Sequence, residues 1–269
     1  MIFQHVAYIT NEVWSNRARM TRVVSYDIKI ENRNLYLGTL WKLLTPLIQI
    51  GTFWLVFGLG IRGGAPVNDH SFLVWMLAGI IPWFFISRSI STGASSIRAK
   101  SSLIFKIKYP ISTVPVGSVM ISLYDHFIML GIMIVIFLSH GIYPNLYWLN
   151  LLYYVFFAFA FLVSLSMVLS VVVMLAQDLG NLINSLLQML FFLNPILWMD
   201  DALPVWIRRI LSANPARYIV LGFRDSILHQ VNFYVHTHRI LFFWTMTVSL
   251  FVLGCYMQKK YASRFVDWM

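Results

Sequence analysis

The chain has 269 residues, of which 59% are hydrophobic and 11% are charged, and its formal net charge is +10. Soluble domains are about a quarter charged, so this composition excludes an ordinary soluble protein. Several apolar runs approach the roughly 20 residues that cross a bilayer, and we therefore predict an integral membrane protein.

The basic charges cluster at the ends of the apolar runs. A preference for positive loops on the cytoplasmic side and anionic lipid headgroups explain them there. No aromatic and basic surface typical of nucleic-acid binding is visible, so nucleic acid is not expected as a partner. The only cysteine, Cys255, lies inside an apolar run. It cannot form an intrachain disulfide or a multi-cysteine metal site, and no metal is expected.

Residues 1–37 are predicted to form an amphipathic helix on the cytoplasmic side. The apolar residues recur at helical spacing and form one face: Val6, Ile9, Val13, Met20, Val24 and Ile28. The basic residues lie largely off that face: Arg17, Arg19, Arg22, Lys29 and Arg33. Such a helix lies in the plane of a membrane, either as an anchor alone or also as a docking surface for a cytoplasmic partner. The segment lacks the pattern of a signal peptide, so we expect the N-terminus to stay in the cytoplasm.

Six apolar segments are predicted to cross the membrane, which makes the fold all-α. They are residues 43–61, 71–90, 111–138, 149–176, 182–198 and 240–257. A tight cytoplasmic turn is expected at 177–181, between the fourth and fifth spans. Both termini are then cytoplasmic, and residues 1–269 form a single membrane domain.

Residues 199–239 are too polar to span the membrane and too apolar to form a plain loop. Within them, 203–211 and 215–229 each have the pattern of a short helix, and Asn214 followed by Pro215 is a good N-cap and first helical residue. Fifteen helical residues reach only about 22 Å, less than the roughly 30 Å core of a bilayer. We therefore predict an external, re-entrant pair of helices that dips into the outer leaflet.

The loop at 98–110, RAKSSLIFKIKYP, separates the second and third spans. Four basic residues are predicted to hold it in the cytoplasm: Arg98, Lys100, Lys106 and Lys108. The external segment 199–239 departs from this rule because it carries five arginines: Arg208, Arg209, Arg217, Arg224 and Arg239. An excess of that size indicates a function or a binding partner for those arginines.

The sequence contains no Gly-Lys dipeptide and therefore lacks the phosphate-binding G-x-x-x-x-G-K-[ST] loop of an ATPase. If ATP drives this protein, ATP and Mg²⁺ bind to another chain, and no cofactor is expected in this one. Carriers coupled to protons or sodium ions usually hold several ionisable groups inside their spans. Only Arg88, Asp125 and His126 are clear candidates, which disfavours ion coupling.

Arg88 has two open interpretations. A buried arginine is costly unless it is paired or faces water, so Arg88 either pairs with Asp125 or snorkels to the interface. Alternatively, it binds the phosphate of a lipid-linked substrate that enters from the inner leaflet. Asp125 and His126 are adjacent and point to different sides of their helix. A structural hydrogen bond is the favoured role for each.

Arg217 and Arg224 lie seven residues apart and should share one helix face. They either contact outer headgroups and nearby carboxylates or guide a polyanionic polymer outward. The carboxylates in question are Asp200, Asp201 and Asp225. Three histidines of the same segment lack a nearby acidic ligand set and are expected to be solvated rather than metal-bound: His229, His236 and His238.

Aromatic residues are abundant in the spans, and most are expected to pack between helices or at the membrane interface. A minority could line a path for sugars, because aromatic faces stack on pyranose rings. Trp83 and Phe84 of the second span are the candidates for such a path.

Three blocks of sequence, in the right order, resemble the ABC-2 type permeases that export polysaccharides. RNLYLGTLWKLLTPLIQIGTFWLVFGLGIR resembles the start and body of their first span. LAGIIPWFFISRSISTGASSIRAKSSLIFKIKYPISTVP resembles their second span, coupling loop and the start of the third span. NPILWMDDALPVWIRRILSANPARYIVLGFRDSIL resembles the end of their fifth span and the re-entrant pair. The first block and the WMLAGIIPWFFI run look most similar to the branch that exports wall teichoic acid in Gram-positive bacteria.

The resemblance implies a type V exporter fold in the bacterial cytoplasmic membrane, with a homodimer of six-span subunits, an N-terminal interface helix and two copies of a cytoplasmic ABC ATPase. It implies undecaprenyl-diphosphate-linked wall teichoic acid as cargo, with O-antigen or capsular polysaccharide as the alternative. The implied contacts with the ATPase are Arg98, Lys100, Ser101, Ser102, Phe105, Lys106, Lys108 and Asp178. The candidates for the substrate path are Trp83, Phe84, Arg88, Asp125, Arg217 and Arg224.

Two functions of other classes stay open. A membrane-embedded glycan enzyme needs an acid/base pair, for which Asp200 and Asp201 are the only clustered carboxylates. An ion-coupled flippase would move its cargo with a proton or sodium gradient and without ATP.

Overall fold

The computed structural model describes residues 2–31, 36, 38–107, 109–199 and 203–261. This part of the chain is almost entirely helical, and its only β-structure is an isolated bridge between Val67 and His70. In chain order its α-helices are α1 (Ile2–Ser15), α2 (Arg17–Ile30), α3 (Trp41–Phe53), α4 (Phe72–Ala99), α5 (Ser101–Ile107), α6 (Thr113–Ser139), α7 (Asn150–Leu175), α8 (Asp178–Leu193), α9 (Val205–Ser212), α10 (Pro215–Arg224) and α11 (Thr237–Tyr261). π-helical turns extend α3 over Trp54–Ile61 and α10 over Asp225–His229. The predicted all-α fold is confirmed for these residues.

The predicted N-terminal helix over 1–37 is two helices, α1 and α2, because the chain leaves helical geometry at Asn16 (φ −98°, ψ 10°). The Asn16 side chain donates a hydrogen bond to the Glu12 carbonyl at 2.8 Å, a local bond with which asparagine competes against regular helix. The predicted apolar face is nevertheless confirmed at Ile9, Met20 and Val24, which are buried. The basic residues Arg17, Arg19, Arg22 and Lys29 are exposed, and Arg33 lies outside the described residues.

Five helical segments of the described chain are long and apolar enough to cross a membrane: Trp41–Ile61, Phe72–Ala99, Thr113–Ser139, Leu146–Leu175 and Thr237–Tyr261. They correspond to five of the six predicted spans. The predicted fifth span, 182–198, corresponds to α8, which has 16 residues and reaches about 24 Å. This helix ends at Leu193 because Asn194 precedes Pro195, and a residue before proline avoids the α region.

The predicted turn at 177–181 is shorter than expected. Asp178 already begins α8, so the reversal after α7 is confined to Ala176 and Gln177. The predicted second span is longer than expected, because α4 continues past residue 90 to Ala99. The polar residues of this extension satisfy their hydroxyl groups on carbonyls of the same helix, so their polarity does not end it: Thr92 on Arg88, Ser95 on Ser91 and Ser96 on Gly93.

The helix α4 is the most buried span of the described chain and packs against α6, α7 and α10. Its middle, from Val74 to Trp83, is buried throughout. By contrast, α3 and α11 bury few of their residues and present apolar side chains on the surface of the single chain. The remaining elements are therefore arranged around α4.

The short helices α9 and α10 occupy the predicted re-entrant segment. Asn214 caps α10 as predicted, with its side chain accepting a hydrogen bond from the Ala216 N–H at 2.9 Å, and Pro215 takes the first helical position. The predicted apolar stripe is confirmed as buried: Ala216, Ile219, Val220, Phe223 and Ile227. Asp200 and Asp201 lie outside the described residues.

Arg224, at the end of α10, joins three elements inside the fold. Its guanidinium lies 3.5 Å from the ring centroid of Trp75 on α4 and donates to the carbonyl groups of Trp75, Pro195 and Ile196. The residue is only 2% exposed. A Cβ on Gly79 would lie 2.5 Å from the Arg224 Nη2, so glycine is required there to admit the guanidinium. Arg224 thus holds α10 and the turn after α8 against α4.

Arg224→Lys should destabilise the fold by about 2 kcal/mol, because an ammonium cannot serve three carbonyls and stack on Trp75 at once. A loss of that size should lower the thermal unfolding midpoint in detergent by roughly 5 °C. Arg209→Lys is the matched control, since Arg209 is exposed on the neighbouring helix α9. Equal midpoints for the two variants would contradict this account of Arg224.

Polar contacts tie both N-terminal helices to the spans or to their connections. In α1, Glu12 accepts a hydrogen bond from the Ser112 hydroxyl at 2.6 Å, just before α6. In α2, Asp27 forms an ion pair with Lys100, which lies between α4 and α5. Because α2 also packs against α6, it lies beside the segment that joins α4 to α6.

Lys100→Asp should loosen α2, because it places two carboxylates in contact. For a partly exposed pair worth up to about 1 kcal/mol, trypsin should cleave at Arg19 and Arg22 roughly fivefold faster. The double variant Asp27→Lys, Lys100→Asp restores opposite charges and should return the cleavage rate to that of the wild type. If the double variant is cleaved as fast as the single one, the ion pair does not hold α2.

Candidate translocation path and coupling surface

An open groove runs between α3, α4 and α8, with a volume of about 330 Å³. Its lining residues are mostly aromatic or amide-bearing: Gln49, Phe53, Trp83, Phe84, Ser87, Leu187, Gln188, Phe191 and Phe192. Phe191 lies 5.9 Å from Trp83 and 5.1 Å from Phe53, measured between ring centroids. Aromatic faces with amide and hydroxyl groups between them can stack on sugar rings and hydrogen-bond to sugar hydroxyls.

The groove contains both aromatic residues that the sequence singled out, Trp83 and Phe84. Sequence reasoning missed Phe53 and Gln49 of α3 and Gln188 of α8, because they meet Trp83 only through the packing of three distant segments. The hydropathy of the spans carried no signal that would have separated these residues from others facing lipid.

Four charged side chains form a closed cluster near one end of the groove, on the side predicted to be cytoplasmic, here named the charge quartet: Glu31, Lys42, Arg88 and Asp125. The Lys42 Nζ contacts Glu31 at 2.5 Å and Asp125 at 3.1 Å. The Arg88 Nη2 contacts Glu31 at 2.6 Å and Asp125 at 2.8 Å. Each carboxylate therefore bridges both cations, and the cluster has no net charge.

Of the alternatives left open for Arg88, the structure shows the pairing with Asp125. The sequence did not predict that Lys42 or Glu31 belongs to this site, because Lys42 is 83 positions from its partner Asp125. The Lys42 side chain is only 6% exposed. The one available signal was a lysine within the first turn of an apolar span, where a buried charge requires a partner.

His126 faces a different set of residues from Asp125, as predicted. Its ring stacks on Phe85 at 4.8 Å between centroids and lies 5.9 Å from Phe223 of α10. Among the described residues neither ring nitrogen has a hydrogen-bond partner, so the expected structural hydrogen bond of His126 is replaced by aromatic packing. His126 also lines a small cavity of about 60 Å³ beside the quartet.

The predicted coupling loop contains the short helix α5. Its Ile104 packs in a small cluster with Ile97 of α4, Val114 of α6 and Val171 of α7, and Tyr109 belongs to the same cluster. Burial raises the pKa of the Tyr109 hydroxyl, so this side chain stays neutral at cytoplasmic pH. Helix α5 is therefore fixed to three spans on one side.

Other described residues of the predicted coupling loop, together with Asp178, do not pack against the spans. Arg98, Ser102, Lys106 and Asp178 are exposed, whereas Ser101 and Lys100 are half-buried, with Lys100 bound to Asp27 of α2. The side chain of Phe105 and the whole of Lys108 lie outside the described residues. Each of these exposed residues is accessible for contact with another protein.

The two external arginines proposed for the path have different surroundings. Arg224 is enclosed by the packing described above and does not face an open path in this conformation. Arg217 is 8% exposed and lines a cavity of about 30 Å³, together with Tyr154, Tyr218 and Arg239. That volume holds about one water molecule, not a sugar. Among the histidines, His229 binds Asp225 at 3.0 Å.

Comparisons with known proteins agree with this architecture. Three relatives each carry the name O-antigen export system permease protein RfbA. One, from Myxococcus xanthus, is 26% identical over 190 residues, which cover 71% of this chain and 72% of the relative. Two from Klebsiella pneumoniae are 24% identical over 244 residues and 22% identical over 240 residues, and each alignment covers 89% of this chain and 91% of the relative.

The sequence profile of a family described as ABC-2 type transporter matches residues 23–228, from within α2 to the π-helical turn after α10. The match spans the groove, the charge quartet and the coupling segment. This chain belongs to the ABC-2 type transporter family and is a multi-pass membrane subunit of such a transporter.

Proposed function

We propose that this chain is the permease of an ATP-driven exporter that carries a lipid-linked polysaccharide of the O-antigen class out across a bacterial cytoplasmic membrane. Family membership implies a cytoplasmic ABC ATPase as partner, and the three relatives are named as O-antigen export permeases. The single observation that supports a polysaccharide as the cargo is the aromatic groove between α3, α4 and α8.

The groove suits a polymer because it is open along its length rather than enclosed. A chain of many sugars cannot fit into one closed pocket, and it needs a continuous surface along which it can slide. Aromatic rings give sugar faces a sliding contact, while Gln49 and Gln188 offer exchangeable hydrogen bonds to hydroxyls. Repeated weak contacts of this kind hold a glycan without arresting it.

The open side of the groove supports a homodimer. Apolar residues of the π-helical extension of α3 and of α8 are exposed in the single chain, among them Leu55, Leu59, Leu186 and Phe192. Water cannot cover such a surface, so it faces lipid or a second copy of the chain. A second copy would place two grooves opposite each other and close a path between them. We include this arrangement, with six spans per subunit and α8 as the short one, in the proposal.

The cargo is proposed as O-antigen-like rather than as wall teichoic acid. The narrower expectation of teichoic acid and of a Gram-positive source draws no support from the three relatives. The lining of the groove is also uncharged, and the nearby cations Lys42 and Arg88 are neutralised by Glu31 and Asp125. A strongly anionic polymer gains little from such a surface, whereas a neutral glycan matches it.

The ATPase is proposed to dock on the exposed side of α5 and its flanks. Arg98, Lys106 and Asp178 lie on this surface, and Lys108 and Phe105 belong to the same segment. Because α5 follows directly on α4, a displacement of α5 is transmitted along one 28-residue helix to Trp83 in the groove. The chain itself then needs no nucleotide site.

Lys106→Glu should weaken ATPase docking, because it reverses an exposed charge on the proposed contact surface. In vesicles that contain the chain and its ATPase, ATP-dependent export of a fluorescent lipid-linked polysaccharide should fall at least tenfold, with less ATPase co-purifying. Arg209→Glu makes the same charge change on the external side and should leave both quantities unchanged. Full export by Lys106→Glu would disprove the coupling surface, and export without any ATPase would disprove the proposed function.

Gln188→Leu should slow export about fivefold, because it removes one hydrogen-bonding group worth about 1 kcal/mol from the groove and keeps the size of the side chain. Met189→Leu is the matched control, since Met189 is exposed on the same helix but does not line the groove. The export rate in the same vesicles measures both. Equal rates for the two variants would exclude the groove as the sugar path.

A further inference from the structure

The two carboxylates of the charge quartet differ in their settings. The Asp125 side chain is 12% exposed and belongs to α6, a membrane span. The Glu31 side chain is 37% exposed and lies at the C-terminal end of the amphipathic helix α2. Asp125 is therefore a fixed counter-ion of Lys42 and Arg88, whereas Glu31 can leave with a small movement of its own side chain or of the end of α2.

A cavity of about 420 Å³ lies directly beside Glu31, between α2, α4 and α6. Glu31 and Arg88 form part of its wall, and the other polar lining residues are Asp27, Thr92, Lys100, Ser118 and Ser122. Arg88, whose side chain is 37% exposed, lines both this cavity and the smaller one that reaches Lys42. The space is large enough for a diphosphate group. Its wall holds three hydroxyl groups and two cations, Arg88 and Lys100, which are paired with Glu31 and Asp27.

Glu31 contacts the two cations in the way that a bound anion would. One oxygen, Oε1, accepts from the Arg88 guanidinium, and the other, Oε2, contacts the Lys42 ammonium. A phosphate group offers more oxygens and more charge than a carboxylate, and guanidinium and ammonium groups are the side chains that bind phosphate in proteins. The same two cations can therefore hold a phosphate in place of Glu31.

We propose that Lys42 and Arg88 form a binding site for the phosphate or diphosphate group of an anionic lipid in the inner leaflet, and that Glu31 occupies this site until the lipid displaces it. The proposal rests on the proposed function, to which it adds the point where the charged end of the lipid-linked cargo is bound. Phe84 lines both the groove and the small cavity beside Arg88. A phosphate on Arg88 thus places the first sugars at the beginning of the groove.

Displacement of Glu31 also affects the predicted coupling loop, residues 98–110. Asp27 lies four residues before Glu31 on α2 and holds Lys100, the residue that directly precedes α5. A lipid phosphate that releases Glu31 frees the end of α2, which remains attached near α5 through Asp27. Binding of cargo in the membrane is in this way linked to the surface proposed for the ATPase.

The test measures binding of a radiolabelled polyprenyl diphosphate to the full-length chain in phosphatidylcholine nanodiscs. Glu31→Gln should bind about tenfold more tightly than the wild type, as expected if Glu31 occupies the site about nine-tenths of the time. Arg88→Gln should bind at least tenfold more weakly. Glu12→Gln, which removes a carboxylate of α1 that neither belongs to the quartet nor lines the cavity, should bind as the wild type does.

Competition by inorganic diphosphate identifies what the site recognises. Competition at similar concentrations shows that the phosphate group alone is bound, and no competition shows that the lipid chain is needed as well; both results support the site. If Arg88→Gln does not fold, Glu31→Gln still decides the question. Binding by Glu31→Gln that is no tighter than by Glu12→Gln, or no binding by any variant, overturns the proposal.

The result of this lipid-binding experiment does not depend on the result of the export experiment that tests the proposed function. If Glu31→Gln leaves lipid binding unchanged while the wild-type complex exports polysaccharide with ATP, the phosphate site is wrong and the proposed function stands. If Glu31→Gln tightens lipid binding while the complex exports no polysaccharide, the site stands and the proposed function is wrong.

Discussion

Charges inside an apolar, membrane-sized body need partners, and this structure depends on how two groups of them are neutralised. Toward one end of α4, Arg224 is satisfied by three carbonyl groups and the face of Trp75. Further along α4, Arg88 and Lys42 are satisfied by Asp125 and Glu31. An unpaired arginine in either place would be costly, so each group fixes the elements that supply it. Both groups converge on α4.

As a consequence, α4 is held near both ends, and a residue of the candidate groove lies between them. The Arg224 contacts at Trp75 lie near its N-terminal end, and the segment from Lys100 through α5 follows its C-terminal end. Trp83 in the groove lies between these points. Helix α4 is 28 residues long and is the most buried span of the described chain, so it connects the two groups of charges and suits the proposed transmission of force from an ATPase.

Much of this could be predicted from the sequence, because the spans and caps depend on local properties. Hydropathy located the spans, the Asn214–Pro215 pair located the start of α10, and the cost of burying Arg88 led to its pairing with Asp125. What could not be predicted depends on tertiary contacts or on competing local effects. The second span was predicted to end at residue 90, but the Ser and Thr residues beyond it donate to backbone carbonyl groups within α4, and Pro195 ends α8 before the predicted end of the fifth span.

The site was predictable only in part for the same reason. Trp83, Phe84 and the basic loop have a recognisable pattern along the chain, whereas Gln49, Gln188, Glu31 and Lys42 acquire their roles from neighbours far away in sequence. The identity of the cargo was the property least accessible from the sequence. Teichoic acid and O-antigen exporters share one architecture, so resemblance in the spans fixes the class of transporter more firmly than the polymer that it carries.

The most direct test of the central claim is photo-crosslinking of the glycan during export. A photoreactive phenylalanine at Phe192, in the groove, is compared with one at Phe242, which is similarly exposed on α11 but away from the groove. We predict glycan crosslinks at position 192 only, and only while the ATPase hydrolyses ATP. Equal crosslinking at both positions, or none at 192 during active export, would contradict the account.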